Sequence, residues 1–188
     1  MKMKISFEKA STLLVIIASL GSLFIIYRQT NLMGQQFELQ RLEQHKSVLP
    51  YLTMYNTSSS TNYSYSVSNK GIGPALINEI NIKYKDSIYT NYDLRKFFNT
   101  VIVKEDSLFR DYTDIGHSSL SKGMLLPTNS ITNMVMHHKK DMRKIKSLRN
   151  WFNNQIRIEI IYSSIYGEQW KLVSSSNTPI KLKSVIKE

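Results

Sequence analysis

The 188-residue chain contains no cysteine, four prolines and 14 acidic residues against 25 lysines and arginines. The lack of cysteine excludes disulfides and cysteine-ligated zinc sites. The four histidines show no metal-ligand spacing, and no serine lies in a nucleophile-elbow pattern. Asp111 and Asp114 lie close together, but the glycine and serine that follow them are typical of a loop. We therefore expect no metal site, no cofactor and no catalysis.

The scarcity of acidic residues leaves a formal net charge of +11 at pH 7. A chain of this charge is attracted to anionic lipid headgroups, or it binds an anionic ligand such as a nucleotide or a nucleic acid. Composition alone leaves both alternatives open.

An uncharged and strongly apolar stretch lies near the N-terminus, at residues 10–27. At about 1.5 Å per residue this stretch covers about 27 Å as a helix, close to the roughly 30 Å of a bilayer's hydrocarbon core. A signal peptide has a shorter apolar region followed by a small-residue cleavage site, whereas here Arg28 and further helix-forming residues follow. We predict a basic tail over residues 1–9 and a retained transmembrane helix over 10–27.

A seven-residue repeat runs from this span into the polar sequence beyond it. Inside the span the repeat carries small residues that let helices approach closely, and outside it carries leucines that need burial from water. Its members include Ser11, Ala18 and Gly21, then Leu32, Leu39, Leu42 and Leu49. Residues 28–49 contain no proline and predict a coiled-coil-like stalk continuous with the membrane helix, ended by Pro50 and weakest at Gly34. Alternatively, the leucine row folds back onto the C-terminal domain.

Two polar residues on the repeat, Arg28 and Gln35, bear on the oligomeric state. They fit a homo-oligomeric bundle of three to five helices with a wet axis better than a dry dimer. In the bilayer such a bundle would enclose a pore. We expect its seam at four small residues, namely Ser11, Ala18, Gly21 and Ser22, with the hydroxyls of Thr12 and Ser19 as further candidates for the lining.

The remainder, residues 50–188, has the length of one domain and alternates in the manner of strands. We predict a mainly antiparallel β-sandwich with strands at 51–56, 62–69, 75–84, 87–91, 130–137, 155–163 and 168–174. Short helical insertions are predicted at 93–103 and 141–153, each with an aspartate near its start. Residues 105–123 have no usable periodicity.

The most compact motif is the stretch Asn69–Ala75, which contains Gly71, Gly73 and Pro74. We expect a tight turn in which both glycines are free to adopt positive φ. A phosphate-binding loop is disfavoured because the Walker lysine and serine are missing.

The most basic run covers residues 137–151. On a helix, Met142, Ile145, Leu148 and Phe152 would pack inward, whereas Lys139, Lys140, Arg143, Lys144 and Lys146 would face outward. Such a face suits the phosphates of an anionic ligand; lipid headgroups and a merely solvated helix face are the alternatives. The predicted ligand-binding residues are Lys139, Lys140, Arg143, Lys144, Lys146 and Arg149.

Membrane orientation is ambiguous. Lys2, Lys4 and Lys9 precede the span and only Arg28 follows closely, so the positive-inside rule would export the domain. The charge difference is small, however, and a nine-residue tail is short enough to be translocated.

The layout resembles bacterial proteins with one N-terminal span, a helical stalk, and a β-sandwich that opens with a proline and an Asn-x-Gly-x-Gly-Pro-Ala turn, here Pro50 and Asn69–Ala75. It is most similar to the membrane effectors of anti-phage systems such as Hailong. The resemblance implies an oligomeric, nucleotide-gated ion channel of the bacterial inner membrane with a cytosolic sandwich, controlled by a signal-producing partner protein. A membrane-anchored interaction domain, exported and binding a protein or an envelope polymer, is the alternative.

Overall fold

The computed structural model describes residues 7–111 and 113–182. The chain divides into two compact units, residues 1–46 and 47–188. Most of the predicted basic tail, residues 1–6, lies outside the described residues, as do residues 183–188. The predicted layout is confirmed: an N-terminal helix precedes a mainly antiparallel β-sandwich with short helical insertions.

The first unit is one continuous helix, α1 (Phe7–Ser47), of 41 residues. It is unbroken at Gly34, and its part Ala10–Gln44 is long and apolar enough to cross a membrane. Three hydroxyls, those of Ser19, Ser22 and Thr30, donate to the carbonyl four residues earlier at 2.8–2.9 Å. These hydroxyls therefore need no partner outside the helix.

The described part of the second unit, residues 47–111 and 113–182, contains ten strands. In chain order they are β1 (Leu52–Ser58), β2 (Tyr63–Asn69), β3 (Ala75–Tyr84), β4 (Ser87–Thr90), β5 (Ile115–Gly116), β6 (Leu125–Leu126), β7 (Ile131–His137), β8 (Ile156–Ser163), β9 (Gln169–Val173) and β10 (Ser176–Lys181). One sheet has the order β1-β2-β7-β5, and the other has the order β10-β9-β8-β3-β4 with β6 paired to β3. All seven predicted strands are present; β5, β6 and β10 were missed.

Helical segments close the sandwich. The first insertion runs through α2 (Leu94–Phe97), a π-helical turn (Phe98–Ile102) and α3 (Val103–Glu105), and a 3-10 turn (Ser107–Phe109) follows. The second insertion is α4 (Met142–Asn150), which ends in a π-helical turn (Trp151–Gln155). Apolar side chains from both insertions belong to the same core as those of the two sheets: they include Phe97, Phe98, Ile102, Ile145, Leu148 and Phe152.

The turn at Asn69–Ala75 corrects one expectation. Neither Gly71 nor Gly73 has a positive φ. Instead, a Cβ on Gly73 would overlap the carbonyl of Val48, and one on Gly71 would lie 2.7 Å from the carbonyl carbon of Pro50. The glycines are required because two backbone segments approach each other closely, which no side chain would permit.

The strand registers define two ends of the sandwich. At one end, here named the junction end, Leu52 pairs with Asn69 and Leu76 pairs with Ser163. At the opposite end, here named the far end, β1 leads to β2 and β3 turns into β4, with Tyr84 opposite Ile156. The residues that follow α1 enter at the junction end, whereas α4 leads into the far end through its π-helical turn.

Candidate functional site

The basic helix α4 begins at a capping aspartate, as predicted. The Asp141 carboxylate accepts hydrogen bonds from the N–H groups of Arg143 at 3.0 Å and Lys144 at 3.4 Å. Partial burial alone would raise the pKa of Asp141, but these two bonds and the neighbouring cations lower it below its usual value. The carboxylate therefore stays ionised and satisfies the free N–H groups at the start of the helix.

The inward face of α4 is largely as predicted. Ile145, Leu148 and Phe152 are buried in the core. Met142, expected to pack inward, is 45% exposed. It is the first residue of the helix, before the first turn closes over the core.

Four of the six predicted cations, Lys139, Lys140, Arg143 and Lys146, are exposed along this helix and the segment before it. Arg149 is also exposed, and its guanidinium donates to the Ser58 hydroxyl at 2.5 Å. These five are available to an anionic ligand.

Lys144 is the exception, since its predicted outward placement is wrong. Its side chain is only 10% exposed, and Nζ lies 2.8 Å from Asp114 Oδ1 and 2.7 Å from the carbonyl oxygen of Asp111. The other Asp114 oxygen is 3.4 Å from Nδ1 of the fully buried His137. Burial of an ammonium group requires such a partner, and the loop acid Asp114 provides it. Lys144 therefore holds the loop to the helix and is not available to a ligand.

A groove that the sequence did not indicate lies at the far end. Its cavity of about 340 Å³ is lined by three cations and several polar side chains, among them Lys83, Lys85, Arg157, Asn153, Ser174 and Ser175. A second cavity of about 300 Å³ shares Phe152, Asn153 and Ser174 with the first. Small-molecule sites typically measure about 300–1,000 Å³, so the two cavities together have a suitable size for a ligand.

The groove has more positive than negative charge. Lys85 Nζ lies 2.6 Å from Glu105, and this bond, together with one from the Tyr84 hydroxyl, lowers the pKa of Glu105. Lys83 lies 3.7 Å from Glu159, which Lys171 approaches at the same distance. The positive charges at the edge of the groove are therefore only partly neutralised.

The sequence did not point to the groove because its lining comes from three distant segments. Strand β3 and its turn supply Lys83 and Lys85, the π-helical turn and β8 supply residues 153–157, and the end of β9 supplies Ser174. The register of β3 on β8, which no sequence pattern indicated, brings the first two segments together, and the pairing of β8 with β9 adds Ser174.

The predicted pore seam lies on α1. At 100° per residue, Ser11, Ala18 and Ser22 fall within an arc of about 40°, and Gly21 lies about 60° from Ala18. These angles place the four residues on one broad face, and all four are exposed on the described helix.

The architecture defines the class: a helix able to cross a membrane, followed by a β-sandwich with a basic far end. No protein-family model matches the chain, and no curated protein or solved structure is significantly similar to it.

Proposed function

We propose that the chain is a homo-oligomeric single-pass effector of the bacterial inner membrane in antiviral defence. Its cytosolic sandwich binds a nucleotide or oligonucleotide made by a partner protein, and binding opens an ion-conducting pore between α1 helices, which depolarises the membrane. The observation that carries this proposal is the unbroken 41-residue α1, along which small residues and then leucines follow one seam.

The leucines support association of several copies. Leu32, Leu39 and Leu42 are each 55–60% exposed on the described chain. Burial of a leucine side chain contributes about 1.5–3 kcal/mol, so the row favours a bundle outside the bilayer. Inside the bilayer the small residues at Ala18 and Gly21 allow close packing of helices.

The exposed cations of the α4 region support an anionic ligand. Lys139, Lys140, Arg143, Lys146 and Arg149 can each neutralise a phosphate, which makes affinity fall with salt concentration. A shift of a pore from 1:99 to 99:1 in favour of the open state requires about 5.5 kcal/mol of differential binding. Several phosphate contacts, repeated in three to five subunits, are sufficient for this.

The test is ion flux from liposomes that contain the purified full chain, with and without nucleotides. We expect Ala18→Leu with Gly21→Leu to abolish flux or to make it constitutive. Ile16→Leu with Leu23→Ile, on the opposite face of α1, is the matched control and leaves flux unchanged. Equal behaviour of the two double variants would contradict a pore along this seam.

A second flux experiment tests the ligand face. Glutamate substitutions at four exposed cations should abolish the response to nucleotide without dissociating the oligomer: these are Lys139, Lys140, Arg143 and Lys146. Lys144 is left unchanged because its reversal would place a second carboxylate beside Asp114. An unaltered response would remove the α4 region from the ligand site.

A second candidate function is an exported, membrane-anchored domain that binds a protein or an envelope polymer. The three lysines before the span, against Arg28 alone close behind it, favour this orientation. The exposed Ser176 offers a test because Ser176→Cys would be the only thiol of the chain. Labelling by an impermeant reagent in intact cells supports export, whereas protection until lysis supports the cytosolic effector.

A further inference from the structure

The far-end groove contains an unusual pairing of charges. Lys83 and Arg157 lie directly opposite each other on the adjacent strands β3 and β8. Like charges in this position destabilise a sheet. Lys83 has a carboxylate neighbour at 3.7 Å, but the Arg157 side chain forms no ion pair or hydrogen bond within residues 7–111 and 113–182. An anion seated between the two would relieve the repulsion.

The backbone beside these cations is also irregular. Helix α4 widens into a π-helical turn, Trp151–Gln155, immediately before β8. Such turns are rare and occur frequently at functional sites. The widening exposes Asn153, Asn154 and Gln155 at the groove while the ring of Phe152 stays in the core. Polar amide groups therefore lie beside the cations.

The second cavity differs in chemistry from the first. Its walls include the buried rings of Tyr65 and Phe152, which stack on each other at 4.5 Å. Asn56 lies at the same cavity and donates to Asn153 Oδ1 at 2.6 Å. Amide side chains recognise the edges of nucleobases, whereas the cations of the first cavity suit a phosphate.

We propose that the two adjacent cavities form a binding site for a nucleoside phosphate. The phosphate lies between Lys83 and Arg157, and the base lies against Asn56. Asn153 and Ser174, which line both cavities, contact the sugar between them. This inference rests on the proposed function, because the nucleotide is the one that would open the pore. The nucleotide binds in the groove, and the α4 cations contact any further phosphates of the ligand.

The test is isothermal titration of the purified full chain in detergent with ribo- and deoxyribonucleoside 5′-monophosphates. Ribose 5-phosphate and inorganic phosphate serve as probes that lack the base. We expect at least one nucleotide to bind more tightly than either truncated probe. Loss of a hydrogen bond to a charged group weakens binding about tenfold or more, so Arg157→Ala and Lys83→Ala should each have this effect. Asn56→Ala should weaken nucleotide binding and leave phosphate binding unchanged.

Lys122→Ala, at an exposed cation in the turn before the junction-end strand β6, is the matched control and should bind nucleotide as the unaltered chain does. The thermal unfolding temperature of each variant shows that the sandwich is intact. Absence of binding by every nucleotide at millimolar concentration would overturn the proposal, as would affinities unaffected by Arg157→Ala and Lys83→Ala. Binding of ribose 5-phosphate as tight as that of the nucleotides would overturn the assignment of the base.

Binding and conductance separate this inference from the proposed function. Nucleotide binding that depends on Arg157, without any ion flux, would support the groove and refute the channel. Nucleotide-dependent flux that is indifferent to Arg157 and Lys83 would support the channel and refute the groove.

Discussion

Replacement of Lys144 by methionine should destabilise the sandwich far more than the same change at its exposed neighbour Lys146. The Lys144 and Asp114 side chains are 10% and 8% exposed. Removal of one partner of a buried ion pair costs about 3–5 kcal/mol because the other charge stays buried. Among the described residues, Asp114 then retains only the contact with His137 at 3.4 Å. We expect a loss of about 3 kcal/mol for Lys144→Met and less than about 0.5 kcal/mol for Lys146→Met.

Urea unfolding in detergent measures this difference. Both tryptophans of the chain, Trp151 and Trp170, lie in the sandwich, so their fluorescence reports the unfolding of that unit alone. With a denaturant slope of about 2 kcal/mol/M, Lys144→Met should lower the urea midpoint by about 1.5 M. The double variant Lys144→Met with Asp114→Leu removes both charges and should recover at least half of this loss.

Two results would refute the reasoning. One is a loss of less than about 1 kcal/mol for Lys144→Met, which would mean that Asp114 remains solvated without its partner. The other is a double variant as unstable as the single one, which would assign the cost to lost packing of the Lys144 methylenes rather than to the unpaired charge.

Four further predictions concern the junction end, helix α1 and the core. Gly73→Ala should destabilise the sandwich by about 2–4 kcal/mol in the same urea assay because the alanine Cβ would overlap the backbone of Val48. Gly34 has open space around it, so Gly34→Ala should raise the helicity measured by circular dichroism. Asn69→Ala removes four hydrogen bonds and should cost about 3 kcal/mol; a loss below about 1 kcal/mol would show that this turn is held by other contacts. Burial raises the pKa of Tyr162 to about 12 from 10.0, so its contribution to stability is complete below pH 10 and is lost as pH rises towards 12. Tyr162→Phe should reduce this alkaline loss of stability. An equal fall of the urea midpoint between pH 9 and 11 in both proteins would contradict the prediction.

The sequence alone predicted the helices and strands whose local pattern of residues is compatible with only one type of secondary structure. Residues 10–27 have no charge, and a helix satisfies their backbone within the segment itself. Seven strands followed from alternation, since a half-buried strand repeats every two residues. The start of α4 followed from Asp141 because a capping carboxylate acts on N–H groups two and three residues away.

Contacts between distant segments required the tertiary structure. Helical periodicity identifies the residues at the centre of the buried face of α4 but not those at its edges. The sequence therefore predicts the same exposure for Lys144 and Lys146, and only the packing of the loop with Asp114 against Lys144 distinguishes them. The two-residue strands β5 and β6 are too short to show a period.

The groove depends most completely on the tertiary structure. Lys83 and Arg157 face each other only through the register of β3 on β8, and a shift of one residue would turn the strand over. Patterns within a segment therefore determined the helix, the strands and the basic charge of this protein, because those depend on neighbours along the chain. The packing of one segment on another decided which cations are buried in an ion pair and which remain free to bind a ligand.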